Sequence, residues 1–245
     1  MPAPSSRPGP DDVCVWHVDT AALFKHPARI AVSEAALEPA ERARYHGYRH
    51  DADRMMFLAG RVMARTLVAR ALGVAPGEWR WREGLRGRPE IAAPDSTLRF
   101  NLAHSAGLVA CALATGRDVG VDVEYLRRRP VDTQIVPRYC APDEVRDIQA
   151  HGPHGWHDRF LLYWTLKEAY LKARGLGISV SLSDISFTVD GGTPRISFLR
   201  SLEGTDDRWT FHVARPTTEQ VLAVAAPSTP TPPAIAVAPY PLDLA

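Results

Sequence analysis

Between residues 157 and 174 the chain carries Phe160, Leu161, Leu162, Trp164, Leu166, Ala169, Tyr170, Leu171 and Ala173, an apolar set that runs almost all the way round a helix. A surface helix needs a polar stripe, so this one must be largely buried and the rest of the fold must enclose it. Gly175 stands where a left-handed residue closes a helix. Within the segment Glu168 and Lys172 are four apart and share a face, with Trp164 one further turn ahead. Burying an unpaired charge is prohibitive, so that face meets a partner or a ligand.

A counterpart precedes it in the chain. Read as a strand, Gly120-Val121-Asp122-Val123-Glu124 puts Asp122 and Glu124 on one face and Val121 and Val123 on the other. Together with Glu168 and Lys172, three acids and an ammonium can converge. Oxygen-only ligation suits a hard divalent cation such as magnesium or manganese, which keeps positions open for water and phosphate oxygens. The pairing predicts a metal-and-phosphate site.

Composition narrows the partners. Lysine plus arginine (29) nearly balances aspartate plus glutamate (28), so no global field points to nucleic acid or to an anionic membrane, and any phosphate-binding charge must be local. The three cysteines show no metal spacing, which fits buried thiols in a reduced, cytoplasmic setting. The first ten residues lack an apolar signal core, and no run approaches the length of a membrane-spanning helix. At 245 residues the chain has room for one large α/β unit or two halves of ordinary domain size.

Residues 1–11 are rich in Pro, Ser and Gly and are expected to be disordered. Val13 to Val18 reads as an opening strand. From Glu38 an arginine-rich pattern (Arg42, Arg44, Arg49, Arg54) leads into a helix through Met55 to Val68, with Gly73 as a stop. Most of these arginines are expected on a solvated face. Trp79 to Glu83 reads as a strand and Gly84 to Pro89 as a turn. Strands are expected at Leu98 to Ser105 and Leu108 to Ala114, before the turn Gly116-Arg117-Asp118. Pro142 marks a helix start, and His151 to His157 reads as a loop whose glycines and proline argue against a histidine metal site. Strands follow at 185–189, 195–199, 209–214 and 221–225, the last two antiparallel. The expected organisation is an N-terminal half over 12–117, a C-terminal half over 118–226 and a proline-rich tail, extended or disordered, over 227–245.

Taken in order, these motifs resemble the Sfp-type 4′-phosphopantetheinyl transferases. Gly87-Arg88-Pro89 is similar to that family's Gly-Lys-Pro turn, and Phe100 to Ser105 to its Phe-Asn-(Ile/Leu)-Ser-His-Ser motif. Gly120 to Glu124 is similar to its metal motif, and Trp164 to Lys172 to its Trp-x-x-Lys-Glu-x-x-x-Lys helix. A lone Asp-x-Glu says little, whereas four motifs in series are specific, and the resemblance spans residues 13 to 226.

The resemblance implies an α+β fold of two pseudo-twofold-related halves, each a small sheet packed on a long helix, with coenzyme A in the cleft between them. It implies transfer of the phosphopantetheine of coenzyme A to a serine of an apo carrier protein, acyl or peptidyl, with release of 3′,5′-ADP. Asp122, Glu124 and Glu168 would then hold magnesium, with manganese as a substitute, and Glu168 would be the base, acting directly or through a water. Lys172 and His104 would contact phosphate, and Arg88 and Pro89 would line the adenine. Val136, Tyr139 and Cys140 would meet the carrier, and Arg127, Arg128 and Arg129 would either attract it or stay solvated. Trp164 is most simply core. Two positions depart from the pattern: Ala103 replaces a frequent serine, and Met56 replaces a basic or polar residue. Contact with the 3′-phosphate is therefore expected from Arg44, Arg54 or Arg61, with Arg44 best placed. A chain that contains both halves needs no second subunit to complete the cleft and is expected to be a monomer. Two rival readings remain at the level of sequence, a magnesium-dependent hydrolase of nucleotide pyrophosphates and a non-catalytic binding module.

Overall fold

A computed structural model of the chain describes residues 7–84, 87–129, 132–177, 180–199 and 208–244. The first part holds β1 (Asp12–Asp19), α1 (Thr20–Leu23), α2 (Pro27–Ala35), α3 (Pro39–Gly47), α4 (Asp51–Leu72), β2 (Arg80–Glu83), β3 (Pro89–Ala93), β4 (Leu98–Ser105) and β5 (Leu108–Thr115). The second holds β6 (Gly120–Tyr125), α5 (Val136–Tyr139), α6 (Pro142–Ala150), α7 (Gly152–Arg174), β7 (Ile185–Thr188), β8 (Arg195–Phe198), β9 (Trp209–Thr217), β10 (Gln220–Pro227) and β11 (Ala234–Pro239).

One sheet has the order β11-β1-β5-β4 and the other β6-β10-β9, with β2-β3 and β7-β8 as separate hairpins. β5 and β10 are continuous apolar runs, as strands covered on both faces should be. Alternate residues of β5 divide between two cores. Val109, Cys111 and Leu113 pack with Leu58, Met63 and Leu67 of α4, while Ala110, Ala112 and Ala114 face the opposite way. β10 splits likewise, Val221, Ala223 and Ala225 toward α7 and Leu222, Val224 and Ala226 toward the first sheet. The molecule is thus a four-layer α+β sandwich of α4, two sheets back to back, and α7, and each half is a small sheet on a long helix. The halves are stitched at their edge strands, where the buried Asn101 Oδ1 of β4 accepts from the Val121 N–H of β6 at 2.9 Å.

Three expectations are corrected. The tail is not a free end: β11 adds to the first sheet as a parallel neighbour of β1, with prolines flanking it at the exposed edge. Its anchor is Arg117, with a side chain 4% exposed, which donates to the carbonyls of Pro10, Pro227 and Thr231 and to Asp11 Oδ1. The same guanidinium orders the residues just before β1, and Arg7 Nε donates to the Ala71 carbonyl, so residues 7–11 are held in place. The rest of the expected N-terminal disorder, residues 1–6, lies outside the described residues. Finally, the three-histidine stretch is the start of α7 rather than a loop, because Pro153 sits in the first turn, where its missing N–H costs nothing. No helix among the described residues is long and apolar enough to cross a membrane.

Candidate active site at the junction of the halves

A glycine brings the site together. A Cβ at Gly120 would stand 2.0 Å from the Ala169 carbonyl oxygen and 2.5 Å from the Ala173 N, so only glycine lets β6 lie against α7. With Val121 and Val123 committed to the layer between the sheets, the strand period turns Asp122 and Glu124 the other way, onto the Glu168 and Lys172 face of α7. Gly175, in the left-handed region at φ 62°, ends the helix immediately beyond.

Lys172 Nζ donates to Asp122 Oδ1 at 2.7 Å, and Arg128 Nη1 donates to Glu124 Oε2 at 3.1 Å. Asp122 Oδ2 and Glu168 Oε1 are buried and, among the described residues, have no hydrogen-bond partner. All three carboxyls are pushed above their usual range. Burial is the first cause for each. For Asp122 Lys172 opposes it, for Glu124 Arg128 opposes it, and for Glu168 the neighbouring Asp122 charge adds to it. Two orphaned acceptors in an all-oxygen donor set fit a hard dication, the kind of group that would satisfy both. The expected trio is nevertheless not drawn into a ready cage: among the described residues no three His, Cys, Asp or Glu side chains stand close enough to hold an ion. In this arrangement Lys172 occupies one oxygen of Asp122, and Arg128 is paired with Glu124.

One cavity opens on this junction, and a second, lined by the first half alone, adjoins it. The smaller, about 230 Å³, is lined by Arg88, Pro89, Asn101, Leu102, Glu168, Leu171 and Lys172. The larger, about 460 Å³, lies across the turn at Gly87 and Pro89 and is lined by Glu41, Arg44, Arg61, Trp81 and Arg82. Arg61 stacks on Trp81, 3.8 Å from the ring centroid, and burial pushes its pKa down to about 10. Arg44 lies over Phe57 at 5.5 Å. His104 is held below its ordinary pKa, by desolvation first and by Lys172 second, and is therefore neutral near pH 7.

Not every expected residue joins them. Arg54 turns away, pairing with Asp51 at 3.0 Å and donating to the Tyr48 carbonyl, and it lines neither cavity. Arg88 lines the smaller cavity, but its guanidinium is spent on the Ala173 carbonyl (3.0 Å) and Asp118 (2.6 Å), so it fastens the turn to the second half. Ala103 is buried in the layer between the sheets and lines neither cavity.

Sequence reasoning missed three contributors. Trp164 packs against the core as expected, but it is only partly buried and its indole also helps to lower the pKa of Glu124. Arg128 was grouped with its arginine neighbours, although it follows Glu124 by four residues and pairs with it. Asn101 was read only as part of a motif, although a polar side chain in an otherwise apolar strand was itself a signal.

Comparison with known proteins agrees with this geometry. Residues 118–225 match the model of the 4′-phosphopantetheinyl transferase superfamily, and residues 26–116 match a model described as the N-terminal part of 4′-phosphopantetheinyl transferase. A phosphopantetheinyl transferase of Thraustochytrium sp. is 36% identical over 231 residues, covering 88% of this chain and 79% of its own. The 4′-phosphopantetheinyl transferase HetI of Nostoc sp. is 33% identical over 171 residues, covering 69% and 71%. A solved holo-[acyl-carrier-protein] synthase of Neisseria meningitidis aligns with 45% of this chain and 96% of its own, at 22% identity and a TM-score of 0.39. The two family models together cover most of the chain, the relatives match across most of both chains, and the chain belongs to the 4′-phosphopantetheinyl transferase superfamily.

Proposed function

We propose that this enzyme moves the phosphopantetheine of coenzyme A onto a serine hydroxyl of an apo carrier protein, with magnesium, and releases 3′,5′-ADP. The observation that carries the reading is the pair of orphaned carboxylate oxygens, Asp122 Oδ2 and Glu168 Oε1, beside Lys172 at the mouth of a cleft formed by both halves of one chain. That cleft supports action as a monomer.

Asp122 and Glu168 would hold the metal, with Glu124 released from Arg128 to join them, and the ion would supply charge to the pyrophosphate oxygens. Lys172 lies on the cleft wall and, once it exchanges Asp122 for phosphate, offsets charge on the leaving group. His104, neutral, donates a hydrogen bond to a phosphate oxygen without competing for protons. The carrier serine attacks the β-phosphorus in line, its proton passes to Glu168 directly or through one water, and the bond from that phosphorus to the 3′,5′-ADP oxygen breaks. Burial raises the Glu168 pKa before a metal binds; as a ligand of the dication the carboxylate would be a weaker base, which favours passage of the proton through the water. Arg44 and Arg61, on the far side of the Pro89 turn, take the 3′-phosphate; Arg54 is too committed elsewhere to do so.

The test is paired. Glu168→Gln binds coenzyme A but does not transfer, and wild-type turnover in that variant removes Glu168 from the chemistry. Arg44→Ala raises the KM for coenzyme A more than for 3′-dephospho-coenzyme A; equal effects on both move the 3′-phosphate site elsewhere.

A further inference from the structure

Lys167 immediately precedes Glu168, yet it is not in the cleft. One residue along a helix is a rotation of about 100°, and the Lys167 side chain, 1% exposed, is buried on a different face of α7. There its ammonium uses all three donors, to the carbonyls of Tyr139 and Leu182, each at 2.8 Å, and to Glu144 Oε2 at 2.5 Å. Glu144, 0% exposed, accepts in turn from the Ala141 N–H at 2.7 Å and the Phe187 N–H at 2.8 Å. Five hydrogen bonds therefore gather the end of α5, the start of α6, the middle of α7, the turn at Leu182 and strand β7 around one ion pair.

Apolar side chains of the same volume can often replace such a pair without loss of stability, so stability alone does not explain it. The contacts lead instead toward the site. Lys167 fixes the Tyr139 backbone, the Tyr139 ring packs edge-on against Trp164 at 5.3 Å, and Trp164 faces Glu124. On the same helix the rotation that buries Lys167 is the rotation that presents Glu168 to β6.

We propose that Glu144 and Lys167 are positioning residues, which hold Glu124 and Glu168 in the geometry for transfer through Tyr139, Trp164 and the rotation of α7. The proposal rests on the reading of the site given above. Neither residue touches the cleft, and their role is to remove the alternative settings of α7 and of the segment that follows β6.

The test uses the full chain with its tryptophans, six in number, replaced by 5-fluorotryptophan, the Trp164 resonance being assigned with Trp164→Phe. Lys167→Met alone strands a buried carboxylate and lowers the melting temperature by about 10 °C. The double variant Glu144→Leu/Lys167→Met melts within about 4 °C of wild type. In that double variant the Trp164 fluorine resonance shifts and broadens, the affinity for coenzyme A measured without metal stays within about twofold, and kcat falls at least about tenfold. A double variant with a wild-type Trp164 resonance, or with wild-type kcat, overturns the proposal. Should the double variant not fold, Lys167→Arg replaces it: the charge is kept, but the planar fork cannot meet three acceptors arranged around an ammonium. The Trp164 resonance then moves if the proposal holds, and an unmoved resonance overturns it. A wild-type protein that transfers nothing overturns the functional reading, and the Trp164 resonance decides the positioning role by itself.

Discussion

Adding one methyl group at Gly120 tests how the site is held. The Cβ of Gly120→Ala would meet the Ala169 carbonyl oxygen at 2.0 Å, and restoring the 3.4 Å of ordinary contact moves β6 off α7 by about 1.4 Å. The obstacle is helix backbone rather than a flexible side chain, so the strain is not relieved by a rotamer change. Overpacking of this kind costs about 1–3 kcal/mol, which in a chain of this size lowers the melting temperature by about 2–12 °C. The displacement falls on the strand that carries Asp122 and Glu124, and it lengthens the 2.7 Å contact between Asp122 and Lys172. A misplacement of about 1 Å in a catalytic constellation costs about 100-fold, so kcat/KM should fall by at least that factor while the fold survives. Calorimetry beside steady-state transfer kinetics measures both effects. A Gly120→Ala protein that melts within about 1 °C of wild type and keeps kcat/KM within about threefold would refute the argument that this close approach builds the site.

Asp122, Glu124 and Glu168 all have native pKa values above their unfolded ones, so the native state holds the extra protons. Their contribution to stability is complete below about pH 4.5 and is lost as pH rises through the raised native values. In metal-free buffer the melting temperature of wild type relative to Glu168→Gln should therefore fall as pH rises above about 4.5; a difference that does not change with pH counts against the coupling of these acids. Arg117→Met removes five hydrogen bonds from a guanidinium that ties both ends of the chain to the first sheet. It should cost about 3 kcal/mol and about 6–12 °C, with hydrogen exchange accelerated most in β11, and unchanged protection of β11 contradicts the anchor. The three thiols are buried, and burial raises the pKa of Cys111 and pushes that of Cys140 up to about 12. The native protein should resist a thiol-directed reagent at pH 8 and react only after unfolding; rapid labelling of any of the three contradicts that burial.

The elements of the site were readable because each rested on a short-range rule. Period two separates Asp122 from Val121, a spacing of four aligns Glu168 with Lys172, and an all-round apolar helix has to be enclosed. What escaped was set by contacts between residues distant in the chain. Lys167 looks like a site lysine until Glu144 and two carbonyls from other segments claim it. The proline-rich tail reads as unstructured until Arg117 collects its carbonyls and β1 offers an open edge. Arg54 and Arg88 had the right charge and the right neighbourhood, but local acceptors satisfied them before any ligand could. Pro153 was weighed as a breaker when its place in the first turn made it a helix starter.

The central claim is that these residues perform metal-dependent transfer to a protein serine, and intact-protein mass spectrometry tests it most directly. A purified apo carrier protein is incubated with the enzyme, coenzyme A and magnesium, beside a chelator control and a carrier whose acceptor serine is alanine. The account predicts a phosphopantetheine-sized gain in mass that requires both the metal and the serine. Coenzyme A cleaved without a carrier adduct, or a gain in mass that persists with the chelator, would contradict it.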